Sequence, residues 1–211
     1  MRIVDLLIDS FLRRASRRVL SFRTAEEQPV LPPPDPRQRY LLYLHIPYCR
    51  VLCPFCSFHR VRFRRDRAVP YFDSLRSEIR LVSEAGYLFD ELYVGGGTPT
   101  VMPEQLARTL GFVRERHPVQ AVSVETNPDD LDNDGIRRLR DVGVNRVSVG
   151  VQSFDDALLA EMQRLEPYGS GMEIALRLKK AQGSFDTLNV DMIFNFPHQT
   201  EDSLDRDLDV L

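Results

Sequence analysis

The chain has 211 residues, 43% hydrophobic and 28% charged, with a formal net charge of −3. That is globular composition, long enough for one sizeable core and short for two, and it offers no overall positive field to draw nucleic acid. Three cysteines, an odd number, argue against a disulfide framework and for a reducing, cytoplasmic setting; no secretory leader is read, nor any run of about 20 apolar residues that would span a membrane.

Residues 1–67 hold 14 Arg against 6 Asp and Glu, so the first third is basic and the remainder acidic. Ile3, Leu6, Leu7, Phe11 and Leu12 fall at helical spacing between arginines. They predict an amphipathic helix over 3–22 docked on the domain, with membrane or partner contact as the minor alternative. "QPVLPPPDP" at 28–36 has too many prolines for helix or central strand and reads as a semi-rigid linker. The expected organisation is therefore an N-terminal segment, 1–38, and a main domain, 39–211.

From residue 40 the pattern alternates. Strands are predicted at "YLLYLHI" (40–46), "ELYVGGG" (91–97), "AVSVET" (121–126), "RVSVGVQ" (146–152) and "TLNVDMIF" (187–194). Helices are predicted at 70–86, ending on Gly86, at 103–117, opening on Pro103, and at 129–143, interrupted by Gly135. A further helix opens on a capping box of Ser153 and Asp156, another covers 171–183, and the last starts at 200 with Thr200 as its cap. Such alternation implies a parallel sheet with right-handed crossovers. A closed eight-unit barrel needs about 250 residues, so the expected architecture is an α/β barrel cut short after its fifth strand.

The polar and glycine-rich motifs share one placement. A cysteine loop follows the first strand, "GGGTPT" ends the second, Glu125 the third, Gln152 the fourth, and Asp191 lies in the fifth. Ligands of α/β folds bind at the carboxyl ends of parallel strands.

All three cysteines lie in "HIPYCRVLCPFCSFHR" (45–60), as Cys49, Cys53 and Cys56, spaced C-x3-C-x2-C. Three readings compete on spacing alone. They are buried thiols, which the proline-interrupted, arginine-flanked loop disfavours; structural zinc, with His59 as fourth ligand; or an iron–sulfur cube with one iron left open to a small molecule.

The neighbouring motifs carry a resemblance. C-x3-C-x2-C at the end of a first strand, with Phe55 before the last cysteine, resembles the radical S-adenosylmethionine (SAM) family, whose fold is a partial (β/α)6 TIM-like barrel. "LYLHIPYC", "LYVGGGTPT", "SVETNPDDL", "GVNRVSVGVQSF" and "NVDMIFNFPHQT" resemble its oxygen-independent coproporphyrinogen III oxidase branch, which includes the haem chaperone HemW, over about residues 40–204. The resemblance implies a [4Fe–4S] cluster on Cys49, Cys53 and Cys56 and a SAM site involving Tyr43, Phe55, Gly96, Gly97, Thr98 and Glu125. It further implies Gln152, Arg164 and Asp191 around a second SAM. Without it, Glu125 would pair with a nearby Arg, Asp191 would pair with Arg164, and Tyr43 would pack in the core. "RVRFRRDR" (60–67) reads as a solvated face, with attraction for porphyrin propionates as its alternative.

The sequence also departs from that branch. Phe58 stands where the oxidases carry a further cysteine, and Asn195, Phe196 and His198 replace Gly, Leu and Gly after the fifth strand. Two functions follow as expectations. One is an enzyme that cleaves SAM and acts on a tetrapyrrole, fed by an electron donor such as flavodoxin or ferredoxin. The other is a carrier that binds cluster, SAM and haem without oxidase turnover.

Overall fold

The computed structural model describes residues 14–15 and 31–211. Apart from residues 14–15, the expected N-terminal helix lies outside the described residues, as does the start of the linker. Pro33–Leu211 form one compact unit. Five parallel strands build its sheet: β1 (Tyr40–Ile46), β4 (Phe89–Gly96), β5 (Ala121–Thr126), β6 (Arg146–Gln152) and β7 (Thr187–Met192). They lie side by side in that order. Two short strands, β2 (Tyr48–Cys49) and β3 (Val61–Arg62), pair with each other at the two ends of the cysteine loop.

Each crossover carries at least one helix. These are α1 (Arg65–Glu84), α2 (Pro103–Arg114), α3 (Asn133–Asp141), then α4 (Asp156–Glu161), α5 (Leu165–Tyr168) and α6 (Gly171–Ala181) between β6 and β7. After β7 comes α7 (Glu201–Asp209). The strands' apolar residues, such as Leu44, Leu92, Val124 and Val149, pack with Phe72 and Ile79 of α1, Leu110 of α2 and Ile174 of α6 into one core. Each such fully buried side chain stabilises the fold by roughly 1.5–3 kcal/mol. This is the α/β partial barrel that the alternation predicts. Among the described residues no helix is long and apolar enough to cross a membrane.

The differences from expectation are local. α1 starts at Arg65 and takes Pro70 into its body rather than starting on it. Residues Pro128–Asp130 form a separate 3-10 turn, and α3 begins only after Asp132, whose carboxylate accepts from the Gly135 N–H (2.6 Å). Gly135 therefore belongs to a first helical turn and interrupts nothing. α4 is capped by Asp155 and not by Ser153: the Asp155 carboxylate accepts from the Ala157 and Leu158 N–H groups. The cap at Thr200, the opening of α2 on Pro103, and the left-handed Gly86 (φ +90°) after α1 stand as expected.

Candidate functional site

The glycine run at the end of β4 holds the cysteine loop in place. The Gly97 N–H donates to the Ile46 carbonyl (2.7 Å) and the Thr98 N–H to the Tyr48 carbonyl (2.8 Å). A Cβ on Gly97 would come within 2.9 Å of Cys49 Sγ and within 2.8 Å of the Tyr48 carbonyl oxygen, so only glycine allows this approach. Beyond Cys49 the loop closes on itself. The Phe63 N–H donates to the Cys49 carbonyl (2.8 Å) and the Cys56 N–H to the Cys53 carbonyl (3.2 Å). Arg60 donates to the carbonyls of both Cys53 and Cys56.

All three thiols are free. Together they line a cleft of about 530 Å³ at the carboxyl ends of the strands. Burial pushes the Cys49 thiol up, opposed by the hydrogen bond from the Thr98 hydroxyl (3.6 Å) and by the charge of Arg60. Phe55, Gly96, Gly97, Thr98, Glu125, Gln152, Arg164 and Asp191 line the same cleft. Of the expected site residues Tyr43 stands apart from this lining. It is half-exposed, its hydroxyl pairs with His45 Nδ1 (2.9 Å), and its ring lies 5.9 Å from that of Tyr93, which does line the cleft.

Glu125 is held by neutral partners. Its carboxylate accepts from the Tyr93 hydroxyl (2.7 Å) and from the Gly96 N–H (2.9 Å). Burial first, and then this bond, push the Tyr93 hydroxyl well above its ordinary range. Among the described residues no arginine pairs with Glu125, so the alternative of a salt bridge is set aside. Asp191 likewise does not pair with Arg164. It accepts from the Ser148 hydroxyl (3.0 Å) and from the Asn189 amide (2.8 Å), and burial raises its carboxyl. Gln152 sits at a register shift between β6 and β7 with a left-handed backbone (φ +81°), which turns the strand end toward the cleft.

Arg164 reaches the site from the start of α5. It is 3% exposed and donates to Cys53 Sγ (3.5 Å), to Asn127 Oδ1 (3.2 Å) and to the Gly150 carbonyl. Asn127 in turn donates to the Thr98 hydroxyl (3.0 Å), linking the ends of β4, β5 and β6. Arg60, read with 60–67 as part of a solvated face, is instead half-buried and bonded to the cysteine loop; Asn127, Ser148 and Asn189 are not expected as site residues from the sequence. Only the placement of Asn127 directly after a strand that ends in Glu-Thr could have pointed to any of them.

Three free thiols on one wall, with the Nε atoms of both Arg60 and Arg164 buried and unpartnered, fit an anionic group bound through sulfur. A single zinc ion needs its ligands gathered round one point. Among the described residues no three His, Cys, Asp or Glu side chains are so gathered, and His59 is exposed with its carbonyl against His45 Nε2 (3.2 Å). An iron–sulfur cube takes each thiolate at a separate iron.

The loop after β7 keeps a glycine-like path without glycine. Asn195 and His198 are both left-handed (φ +60° and +65°). His198 Nδ1 meets the Glu161 carboxylate of α4 (3.1 Å), and the Phe196 ring packs edge-on against Phe55 at 6.3 Å.

Comparison with known proteins gives the family and agrees with the fold. The radical SAM superfamily matches residues 43–211. The chain is 36% identical over 167 residues to an oxygen-independent coproporphyrinogen III oxidase of Bradyrhizobium diazoefficiens, covering 75% of this chain and 37% of the relative. It is 34% identical over 171 residues to the heme chaperone HemW of Lactococcus lactis, covering 79% and 44%. Among solved structures, the coproporphyrinogen III oxidase HemN of Escherichia coli, described as a radical SAM enzyme, aligns with a TM-score of 0.72 at 32% identity, covering 82% of this chain and 41% of that one. The chain thus spans about two-fifths of the length of these relatives.

Proposed function

This chain belongs to the radical SAM superfamily, and on that premise we propose that Cys49, Cys53 and Cys56 hold a [4Fe–4S] cluster beside bound SAM, for chemistry on a tetrapyrrole. The observation that carries the reading is the sharing of one cleft by the three thiols, the glycine run and the carboxylate of Glu125. The chemistry such a group supplies is one-electron reductive cleavage of SAM to methionine and a 5′-deoxyadenosyl radical that takes hydrogen from the substrate.

The chain's own residues bind and orient. Gly96 and Gly97 let backbone groups approach the methionine portion of SAM. Glu125, whose partners among the described residues are Tyr93 and Gly96, has lone pairs left for ribose hydroxyls. Phe55 supplies an apolar wall and Thr98 a buried hydroxyl at the cluster. Gln152, Arg164 and Asp191 supply polar contacts deeper along the strand ends, and Tyr43 an outer one. The exposed Arg62 suits a propionate of a tetrapyrrole. An electron donor of the flavodoxin or ferredoxin kind, in a reducing cytoplasm, completes the scheme.

The test is anaerobic reconstitution, dithionite and SAM, with and without coproporphyrinogen III. Substrate-dependent 5′-deoxyadenosine supports an oxidase-like enzyme. A second reading, a HemW-like carrier, is favoured by Phe58: it is 75% exposed where the oxidases have a cysteine. Tight haem binding without that turnover supports the carrier, and a protein that takes up no iron overturns both.

A further inference from the structure

Arg164 brings a permanent charge into the interior. Every partner of its guanidinium is uncharged: the Cys53 thiol at 3.5 Å, Asn127 Oδ1 at 3.2 Å, the Gly150 carbonyl, and the Tyr168 ring, 4.1 Å below the guanidinium carbon. Its Nε is buried and has no partner among the described residues. Among the described residues no carboxylate stands within ion-pair distance of it. A buried charge without a counter-ion is destabilising, and such charges are otherwise found paired. The counter-charge must therefore come from what the cleft binds: a SAM carboxylate, on the contact proposed above, or the cluster on Cys53, whose sulfur Arg164 already reaches.

We infer that Arg164 is the counter-charge of the sulfur-bound cluster and, through its contact with Cys53, sets that cluster's reduction potential. This rests on the assignment of the three cysteines made above and goes beyond it. Reduction brings one electron from a low-potential one-electron donor and makes no new bond, so the anionic charge beside Arg164 grows by one unit. A fixed cation within hydrogen-bond reach of a ligand sulfur favours that more negative state. Net charge and hydrogen bonds to sulfur are among the factors that tune such potentials. Arg164 lies 111 residues from Cys53 in the chain, so this pairing exists only because α5 folds back over the strand ends.

The experiment compares wild-type protein with Arg164→Lys, Arg164→Gln and Arg164→Met. All are reconstituted without oxygen and titrated against redox mediators, with the reduced cluster followed by electron paramagnetic resonance. The neutral variants should be reduced about tenfold less favourably, a midpoint lower by about 59 mV. Lys, which keeps the charge, should recover most of the difference. Loss of the cluster from both neutral variants but not from Lys, with circular dichroism unchanged, also supports the inference. Neutral variants with wild-type midpoints, or a Lys variant shifted as far as Met, overturn it. Wild-type protein that takes up no cluster overturns the cysteine assignment itself, and this inference with it.

Discussion

Glu125 shows how a single residue can be weighed. It ends an otherwise apolar strand, and its two hydrogen bonds come from a phenol and a backbone N–H, not from a cation. Neither partner lies on the cysteine loop. Glu125→Ala should therefore weaken SAM binding about tenfold, the equivalent of about 1.4 kcal/mol, and leave iron per chain unchanged; calorimetry alongside iron analysis reads both, and an unaltered SAM affinity sinks the ribose assignment. Asp129 gives a pH effect. Burial, and then its neighbour Asp130, push its carboxyl up to about 6, against the pull of Arg50 3.6 Å away. The folded state thus holds a proton that the unfolded chain releases near pH 4, so stability falls as pH rises from about 4 to 6. The shift is worth at most about 3 kcal/mol and less after solvent screening of a side chain one-third exposed. Asp129→Asn should flatten that decline and raise the urea midpoint at pH 7, whereas an unchanged slope would assign the effect elsewhere. At this scale the cysteines were legible because their spacing is local. The pairing of Asp191 with Ser148, and of Arg164 with Cys53 and Asn127, was not, because only folding brings those strand ends and loops together.

The elements show the same division. Ser153 and Asp156 have the spacing of a capping box, yet the cap of α4 is Asp155, with N–H groups at 2.9 and 3.1 Å. Ser153 is taken by a distant competitor. Its hydroxyl donates to Asp207 of α7 (2.6 Å), and the same carboxylate accepts from the Phe154 N–H (2.7 Å). Asp207 is 1% exposed. Local rules found the cap at Thr200 and the start on Pro103, and misassigned this one, where a residue 54 positions away takes up Ser153. The two carboxylates should differ in weight. Asp155→Ala removes a half-buried cap and should cost about 1 kcal/mol. Asp207→Ala leaves a buried hydroxyl and a backbone N–H unpaired and should cost about 3 kcal/mol. Equal losses in urea unfolding would mean that α7 is not anchored through Asp207.

Across the whole molecule, five β-strands alternating with helices were legible because the strands carry alternate apolar residues that face the helices, and parallel strands need long crossovers. Where the helices begin was less legible: Asp132 and Asp155 cap them through local carboxylate bonds, and α1 opens at Arg65 with no side-chain cap. The same architecture separates stability from chemistry. The core runs through Leu44, Leu92, Val124 and Val149 to Phe72, Leu110 and Ile174, and none of the cysteines belongs to it. The cysteine loop is instead tied to the sheet by backbone bonds, from Gly97 to Ile46 and from Thr98 to Tyr48, which do not involve sulfur. Cys53→Ala should therefore abolish iron uptake and SAM cleavage while far-UV circular dichroism is kept and the melting temperature of the metal-free protein moves by only a few degrees. Iron retained at the wild-type level would remove Cys53 from the cluster. Collapse of the metal-free variant would show that the loop, against the geometry of its backbone ties, helps to hold the sheet.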